Sequence, residues 1–249
     1  MTYSLLLHAL EPKPTRQELE EISVKVPSIA RADCAYLLND WYGIVASNIP
    51  LEDARAFQAG LRGKGIESDV VEDRDIPALH HDFRCQRIDL DGPAITLTTA
   101  MNRRQVRDKG ELVFAAAGFV DRQKAGRQTV TDTELRWTAD FVPYTKKVTR
   151  SAMKFEERRY FRIDLFFSTE SHRVSLEIDK ETVCLYGERP LRLKNTTELL
   201  VLLVDIQSLL PPERMNSTLR DLAMDHIHSS MHAYEEEIRW AFFRLGAKG

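Results

Sequence analysis

Ile49-Pro50-Leu51-Glu52-Asp53-Ala54, followed after one helix by Gly63-Lys64-Gly65-Ile66-Glu67, is the stretch that decides how the first third of this chain folds. Pro50 suits the first turn of a helix, where its missing N–H costs nothing. Glu52 and Asp53 suit that helix's positive end. Ala54, Phe57 and Leu61 share one apolar stripe, and Gly63 or Gly65 supplies the left-handed residue that stops the helix. Residues 66–71 then alternate as a strand. Upstream, 3–10 is short and apolar, like a buried strand, and Pro12 and Pro14 end it. Thr15 with Glu18 three residues on is a capping box, and Leu19 and Ile22 give the helix its apolar side. Ile29, Ala32, Tyr36 and Leu37 recur at helical spacing, and 41–46 reads as a second strand. The unit 1–75 is therefore expected to run β-α-α-β-α-β.

This order, with its closing helix–Gly–x–Gly–Ile–Glu step, resembles the C-terminal domain of the ribosomal stalk protein, a fold shared in outline by the Clp protease adaptor. The resemblance covers residues 3–73 and implies an adaptor-like domain for binding protein. The stalk domain meets its partners through a Gly- and Lys-rich stretch. Here that stretch is Val26-Pro27-Ser28-Ile29-Ala30-Arg31-Ala32-Asp33-Cys34, with neither glycine nor lysine. The family's binding residues therefore do not carry over.

Composition is that of a soluble globular protein, with 43% hydrophobic and 29% charged residues over 249 positions. The net charge of −3 predicts no bulk attraction to nucleic acid or anionic lipid. The charge is unevenly placed. Residues 1–79 carry 8 Lys/Arg against 13 Asp/Glu, whereas 80–160 carry 16 against 11. Cys34, Cys85 and Cys184 are far apart and form no CxxC, as expected of free thiols in a reducing cytoplasm. The first residues lack the basic and long apolar regions of a signal peptide. The apolar run 199–204 is far below the ~18–20 residues of a transmembrane helix. A cytoplasmic location follows as the expectation.

Residues 74–82 are polar and proline-marked and read as a linker, His80-His81-Asp82 included. Short strands are expected at 84–90, 94–99, 111–120, 135–142, 160–168, 174–178 and 183–186. A capping box at Asn195-Thr196-Thr197-Glu198 then opens a helix, 199–210, that is apolar nearly all round and so expected to be buried. Strands closed by one helix, with Tyr186-Gly187-Glu188-Arg189 before it, resemble the pleckstrin-homology-like barrel of bacterial proteins that carry a stalk-like front domain. An immunoglobulin-like or split barrel is the alternative. The overall expectation is α+β: a stalk-like domain over 1–75, a mainly antiparallel barrel or sandwich over 83–212, and a long amphipathic helix over 213–249.

Basic residues crowd 122–159, with Arg122, Lys124, Arg127, Lys146, Lys147 and Arg150 as candidate phosphate ligands for nucleic acid or anionic lipid. Trp137, Tyr144 and Phe155 are interleaved and could stack on bases. In the C-terminal segment Leu219, Ala223, Ile227, Met231, Tyr234, Ile238, Ala241 and Leu245 follow steps of three and four. They predict one helix that either braces both domains or forms a homodimer. Asp225, His228 and His232 on that helix have metal-ligand spacing, though on its wet face. No nucleophile elbow, phosphate-binding loop or dinucleotide fingerprint occurs, so no catalytic residue or cofactor is indicated. The expected function is non-catalytic protein recognition or scaffolding. The alternatives are polyanion binding through 122–159, or a metalloprotein or enzyme using His228 and His232.

Overall fold

The computed structural model of the protein describes residues 1–79, 81–137, 143–169, 172–194 and 196–246, and for 122–158 and His172 it describes the backbone alone. The first unit comprises β1 (Tyr3–Leu7), α1 (Arg16–Ser23), α2 (Cys34–Asn39), β2 (Ile44–Ile49), α3 (Leu51–Arg62) and β3 (Ser68–Glu72). Its sheet has the order β2-β1-β3, antiparallel throughout. The capping box forms: Glu18 N–H donates to Thr15 Oγ1 at 3.3 Å, and Thr15 N–H donates to Glu18 Oε2 at 2.8 Å. Gly65, at φ +78, is the residue that turns the chain after α3; Gly63 stays right-handed. The run Leu5-Leu6-Leu7 is apolar without alternation because both sheet faces are covered. Leu5 and Leu7 pack with Leu19, Phe57 and Leu61 of the helices. Leu6 points the other way, to Ile44 and Ile76.

The rest of the chain builds two five-stranded sheets. It contributes β4 (His81–Cys85), β5 (Arg87–Asp89), β6 (Ala94–Thr98), β7 (Arg104–Asp108), β8 (Leu112–Trp137), β9 (Pro143–Phe167), β10 (His172–Ile178), β11 (Cys184–Tyr186), β12 (Arg189–Leu191), α4 (Thr197–Gln207), α5 (Ser217–Asp221), β13 (Ile227–His228) and α6 (Met231–Arg244). One sheet has the order β13-β8-β9-β10-β4, the other β12-β11-β5-β6-β7. They share one core with α4, which contains Ile88, Ile95 and Leu97, Phe161 and Leu165, and Leu199, Leu202 and Leu203.

Several expectations are corrected. The strands form two sheets and no closed barrel among the described residues. The supposed linker ends in β4, whose residues 81–85 pair in parallel with β10. β7 was hidden because its sequence, Arg104-Gln-Val-Arg-Asp108, keeps even Val106 half exposed. Asn195, the cap of the expected box, lies outside the described residues, and α4 is buried on one face only, with Val204 48% exposed. The C-terminal segment is not one helix. Leu222 adopts φ +50 and stops α5, β13 pairs in parallel with β8, and Ser230 caps a new helix, α6. Its three-and-four spacing spans two helices separated by a strand, and a periodic count along the sequence cannot see that break.

α6 lies between two sheets. Tyr234, Ile238, Ala241 and Phe242 pack on Phe114, Ala116 and Phe166 of the β8–β9 sheet. Trp240 and Phe243 pack on Leu6 and Ile44 of the β1–β2 sheet. The Trp240 indole N–H also donates to the Leu7 carbonyl at 2.6 Å. The apolar face expected to brace or dimerise is thus occupied within the chain on both sides. Gly43 permits this. It sits at φ +103, and a Cβ there would lie 2.3 Å from the Trp240 ring. Gly65 has no atom within 4 Å of such a Cβ, so its need for glycine is conformational only. Gly43→Ala is therefore expected to cost about 2–4 kcal/mol of unfolding free energy, and Gly65→Ala about 1 kcal/mol. Urea titration of both variants checks the ranking.

Candidate functional site

β8 and β9 are 26 and 25 residues long. Ordinary strands have about 5–6 residues. Only their roots belong to a sheet. β13 pairs with β8 at Phe119 and Val120, and β10 pairs with β9 as far as Phe161. Beyond Val120 and Tyr160 the two strands pair only with each other among the described residues, from Asp121↔Arg159 to Trp137↔Pro143. At ~3.3 Å per residue this ribbon reaches on the order of 50 Å. A bidentate pair clamps its base: Arg159 Nε donates to Asp121 Oδ1 at 2.8 Å and Nη2 to Oδ2 at 3.1 Å.

The basic candidates fall on this ribbon. The register sets Arg122 opposite Arg158, Lys124 opposite Glu156, Arg127 opposite Met153, Val130 opposite Arg150, Thr133 opposite Lys147 and Glu134 opposite Lys146. Their side chains lie outside the described residues. The structure thus gathers all six on one two-stranded element. Sequence reading treated the segment as loops and short strands, because it lacks the apolar alternation that marks a half-buried strand. What signal there was lay in β-branched residues such as Thr129, Val130 and Thr131.

The histidine candidates separate. His228 lies on β13 and is fully buried. Its Nε2 is 2.8 Å from Glu237 Oε2, and its Nδ1 is 3.3 Å from the Phe119 carbonyl. Glu237 also accepts from Ser217 N–H at 2.8 Å, from Ser217 Oγ at 2.6 Å and from the Asn216 amide at 3.2 Å. The Tyr42 ring stacks on His228 with centroids 4.5 Å apart, and its hydroxyl donates to the Ile227 carbonyl at 2.9 Å. His232 stands exposed on α6 and pairs with Glu236 at 3.1 Å. Asp225 is in the exposed turn before β13. Among the described residues no group of three His, Cys, Asp or Glu side chains is placed to hold a metal ion.

His228, Glu237 and Ser217 carry the residue types of a catalytic relay but not its geometry. The serine hydroxyl points at the carboxylate, not at the imidazole, and both imidazole nitrogens already face partners. The arrangement instead ties β8, α5, β13 and α6 together, and Tyr42 adds the first unit to the knot. Burial pushes the Glu237 carboxyl up, but hydrogen bonding and charge from His228, with the Ser217 bonds, outweigh it and bring it from 4.5 down to about 2. The unfolded chain therefore takes up this proton first. The stabilisation from Glu237 is full above about pH 4.5 and is lost as pH falls towards 2. Glu237→Gln is expected to remove up to about 3 kcal/mol of that acid sensitivity, read from urea midpoints across this pH range.

A second buried cluster lies on the same sheet. Arg162 is 1% exposed. It donates from Nε and Nη2 to the two oxygens of buried Asp164 at 2.8 and 2.9 Å, and from Nη1 to Glu177 at 2.7 Å. Asp82, from the supposed linker, lies 3.0 Å from Arg162 Nη2. Burial works against the guanidinium charge, but Asp164 and its neighbours more than offset this and keep Arg162 protonated. Arg173 reaches from β10 to Glu235 of α6. Asp164→Ala removes the bidentate acceptor and leaves Arg162 only Glu177 and Asp82, and an expected loss of about 2–4 kcal/mol follows. Removing both partners together, as Arg162→Met with Asp164→Leu, should cost less than the single change, as chemical denaturation of the two variants will test.

Cys34, Cys85 and Cys184 are all free and buried. Burial pushes the Cys85 and Cys184 thiols up to about 12, so neither is a thiolate near neutral pH. A groove of about 390 Å³ runs beside β2 and is lined by the α2 segment, β2 and the start of α6. No helix among the described residues is long and apolar enough to cross a membrane. No family model, curated protein or solved structure matches this chain.

Proposed function

We propose that the protein is a non-catalytic recognition or scaffolding module that engages a protein partner with its β8–β9 ribbon. The ribbon's length beyond its sheet carries this reading. An isolated two-stranded hairpin is at best marginally stable in water. It exposes two rows of backbone donors and acceptors that proteins normally shield. An element of this length gains most of its missing stabilisation from a surface that it docks on. The commitment of His228 and Glu237 to internal bonds supports the same reading, since it removes the most catalytic-looking group from solvent. The sequence resemblance of residues 3–73 to the stalk and adaptor domains is in keeping with a recognition role.

Replacing 123–157 by a two-residue Asn-Gly turn should leave the unfolding temperature of the body nearly unchanged. The shortened protein should lose the specific partners that the full chain captures from a native lysate. Capture of the same partners by both forms would remove the ribbon from the proposal.

The excess of basic over acidic residues in 122–159 favours a second reading, in which the ribbon binds nucleic acid or an anionic membrane. Affinity for duplex DNA or phosphatidylserine vesicles should then fall at least about tenfold between about 50 and 200 mM salt. A flat response, or no binding at low salt, sinks that alternative.

A further inference from the structure

We infer that two copies of this chain associate through β7, their Arg104–Asp108 strands pairing antiparallel about a twofold axis at Val106. The surface is distinct from the ribbon and from the apolar faces of α6. The inference goes beyond the recognition reading above and does not depend on it.

Among the described residues β7 has one strand neighbour, β6. Their register runs without a slip from Ala94↔Asp108 to Thr98↔Arg104. The bonds that flank this ladder fix which backbone groups face outward. Thr99 N–H donates to the Arg103 carbonyl and Lys109 N–H to the Pro93 carbonyl, each at 3.0 Å. In an antiparallel pair every second residue bonds to the neighbouring strand, and the residues between turn their N–H and C=O away from it. Gln105 and Arg107 therefore bond to β6, and Arg104, Val106 and Asp108 present their backbone at the edge. The Val106 carbonyl is met there by the side chain of Arg107, whose Nη1 donates to it at 3.1 Å. Side chains leave the edge accessible as well: Arg104 and Asp108 are exposed, and Val106 is 51% exposed. The opposite edge strand of this sheet, β12, has three residues and contains Pro190, which has no N–H to offer.

The charge pattern selects the occupant. Neither Arg104 nor Asp108 has an ion-pair partner among the described residues. Arg104 reaches the Thr96 hydroxyl at 3.5 Å, and Asp108 Oδ1 accepts from Gly110 N–H at 2.7 Å. The two charges stand symmetrically about Val106. With Val106 opposite Val106, Arg104 of each copy faces Asp108 of the other. Outward backbone groups then meet at 104, 106 and 108, and Gln105 faces Arg107. A shift of about two residues either way loses both ion pairs. A shift of about four sets Arg104 opposite Arg104, or Asp108 opposite Asp108. Charged edges ordinarily turn a further strand away. Here that repulsion is lifted in one register and by one partner, the same strand inverted. Such an isologous twofold contact closes at the dimer. A contact of 5 residues per chain is small, so the dimer is weak, with a Kd on the order of 100 µM.

The test is sedimentation of the full chain from about 1 µM to about 1 mM, with amide exchange followed at both extremes. The average mass should rise towards that of a dimer, and the amides of Arg104, Val106 and Asp108 should become protected as it does. Arg104→Asp and Asp108→Arg each set like charges opposite one another, and each should weaken association at least about tenfold. An equimolar mixture of these two variants should associate again, because each offers the charges that the other lacks. Val106→Pro removes an N–H that faces outward. It should abolish the dimer while the unfolding temperature stays nearly unchanged. A monomer at every concentration overturns the inference. So does a mixture that associates no better than either variant alone, or a Val106→Pro chain that still dimerises. Full protection of these amides already at about 1 µM would show another segment covering the edge, and it overturns the inference too.

Discussion

Burial of α6 on two opposite sides is the constraint on which the rest of the structure depends. One face of the helix fills the space over Phe114, Ala116 and Phe166, and the other reaches Leu6 and Ile44 across a glycine that leaves room for Trp240. Without α6 both sheets would expose an apolar face to water. At roughly 25 cal/mol per Å² that exposure is enough to decide whether either folds well by itself. The first and last parts of the chain therefore behave as one packed body, joined by a helix that comes near the end of the sequence.

Two charged clusters lie against this helix and fix its seat. Glu237 receives bonds from His228, Ser217 and Asn216, so it holds the end of β13 and the start of α5 to α6. Arg162, Asp164, Glu177 and Asp82 join three strands of the sheet on the side where α6 packs, and Arg173 reaches the helix through Glu235. Buried charge is a costly way to gain stability, because desolvation consumes most of the attraction. Its geometry is exacting, however, and an apolar interface alone would allow α6 to slide or rotate. The hydrophobic contacts supply the energy of docking, and the polar ones select the register.

The same economy leaves some strands without a neighbour on one side. The β8–β9 ribbon runs past the last strand that supports it, and β2 lacks a neighbour along its outer side. Edge strands attract further strands unless something prevents it. The ribbon lies in a basic stretch, and β2 lies in an acidic unit. They differ in the sign of charge that they offer.

The sequence by itself determined what local chemistry controls. The Thr15–Glu18 capping box, Pro50 before α3, the Ala54/Phe57/Leu61 stripe and the turn at Gly65 depend only on residues a few positions apart, and each forms as their spacing implies. That the three cysteines are unpaired was also readable from their spacing. Where meaning depends on distant partners, only the tertiary structure decided. The polar residues of 122–159 became strands because they pair with each other across a hairpin, without the apolar alternation that a buried face imposes. His228 became part of a lock because β13 brings it to Glu237. Asp82 became a partner of buried Arg162 because a parallel strand passes there. Caps and stripes are written in nearest-neighbour geometry. Strand pairing and buried charge are written in contacts between residues that lie far apart in the chain, and those exist only once it has closed.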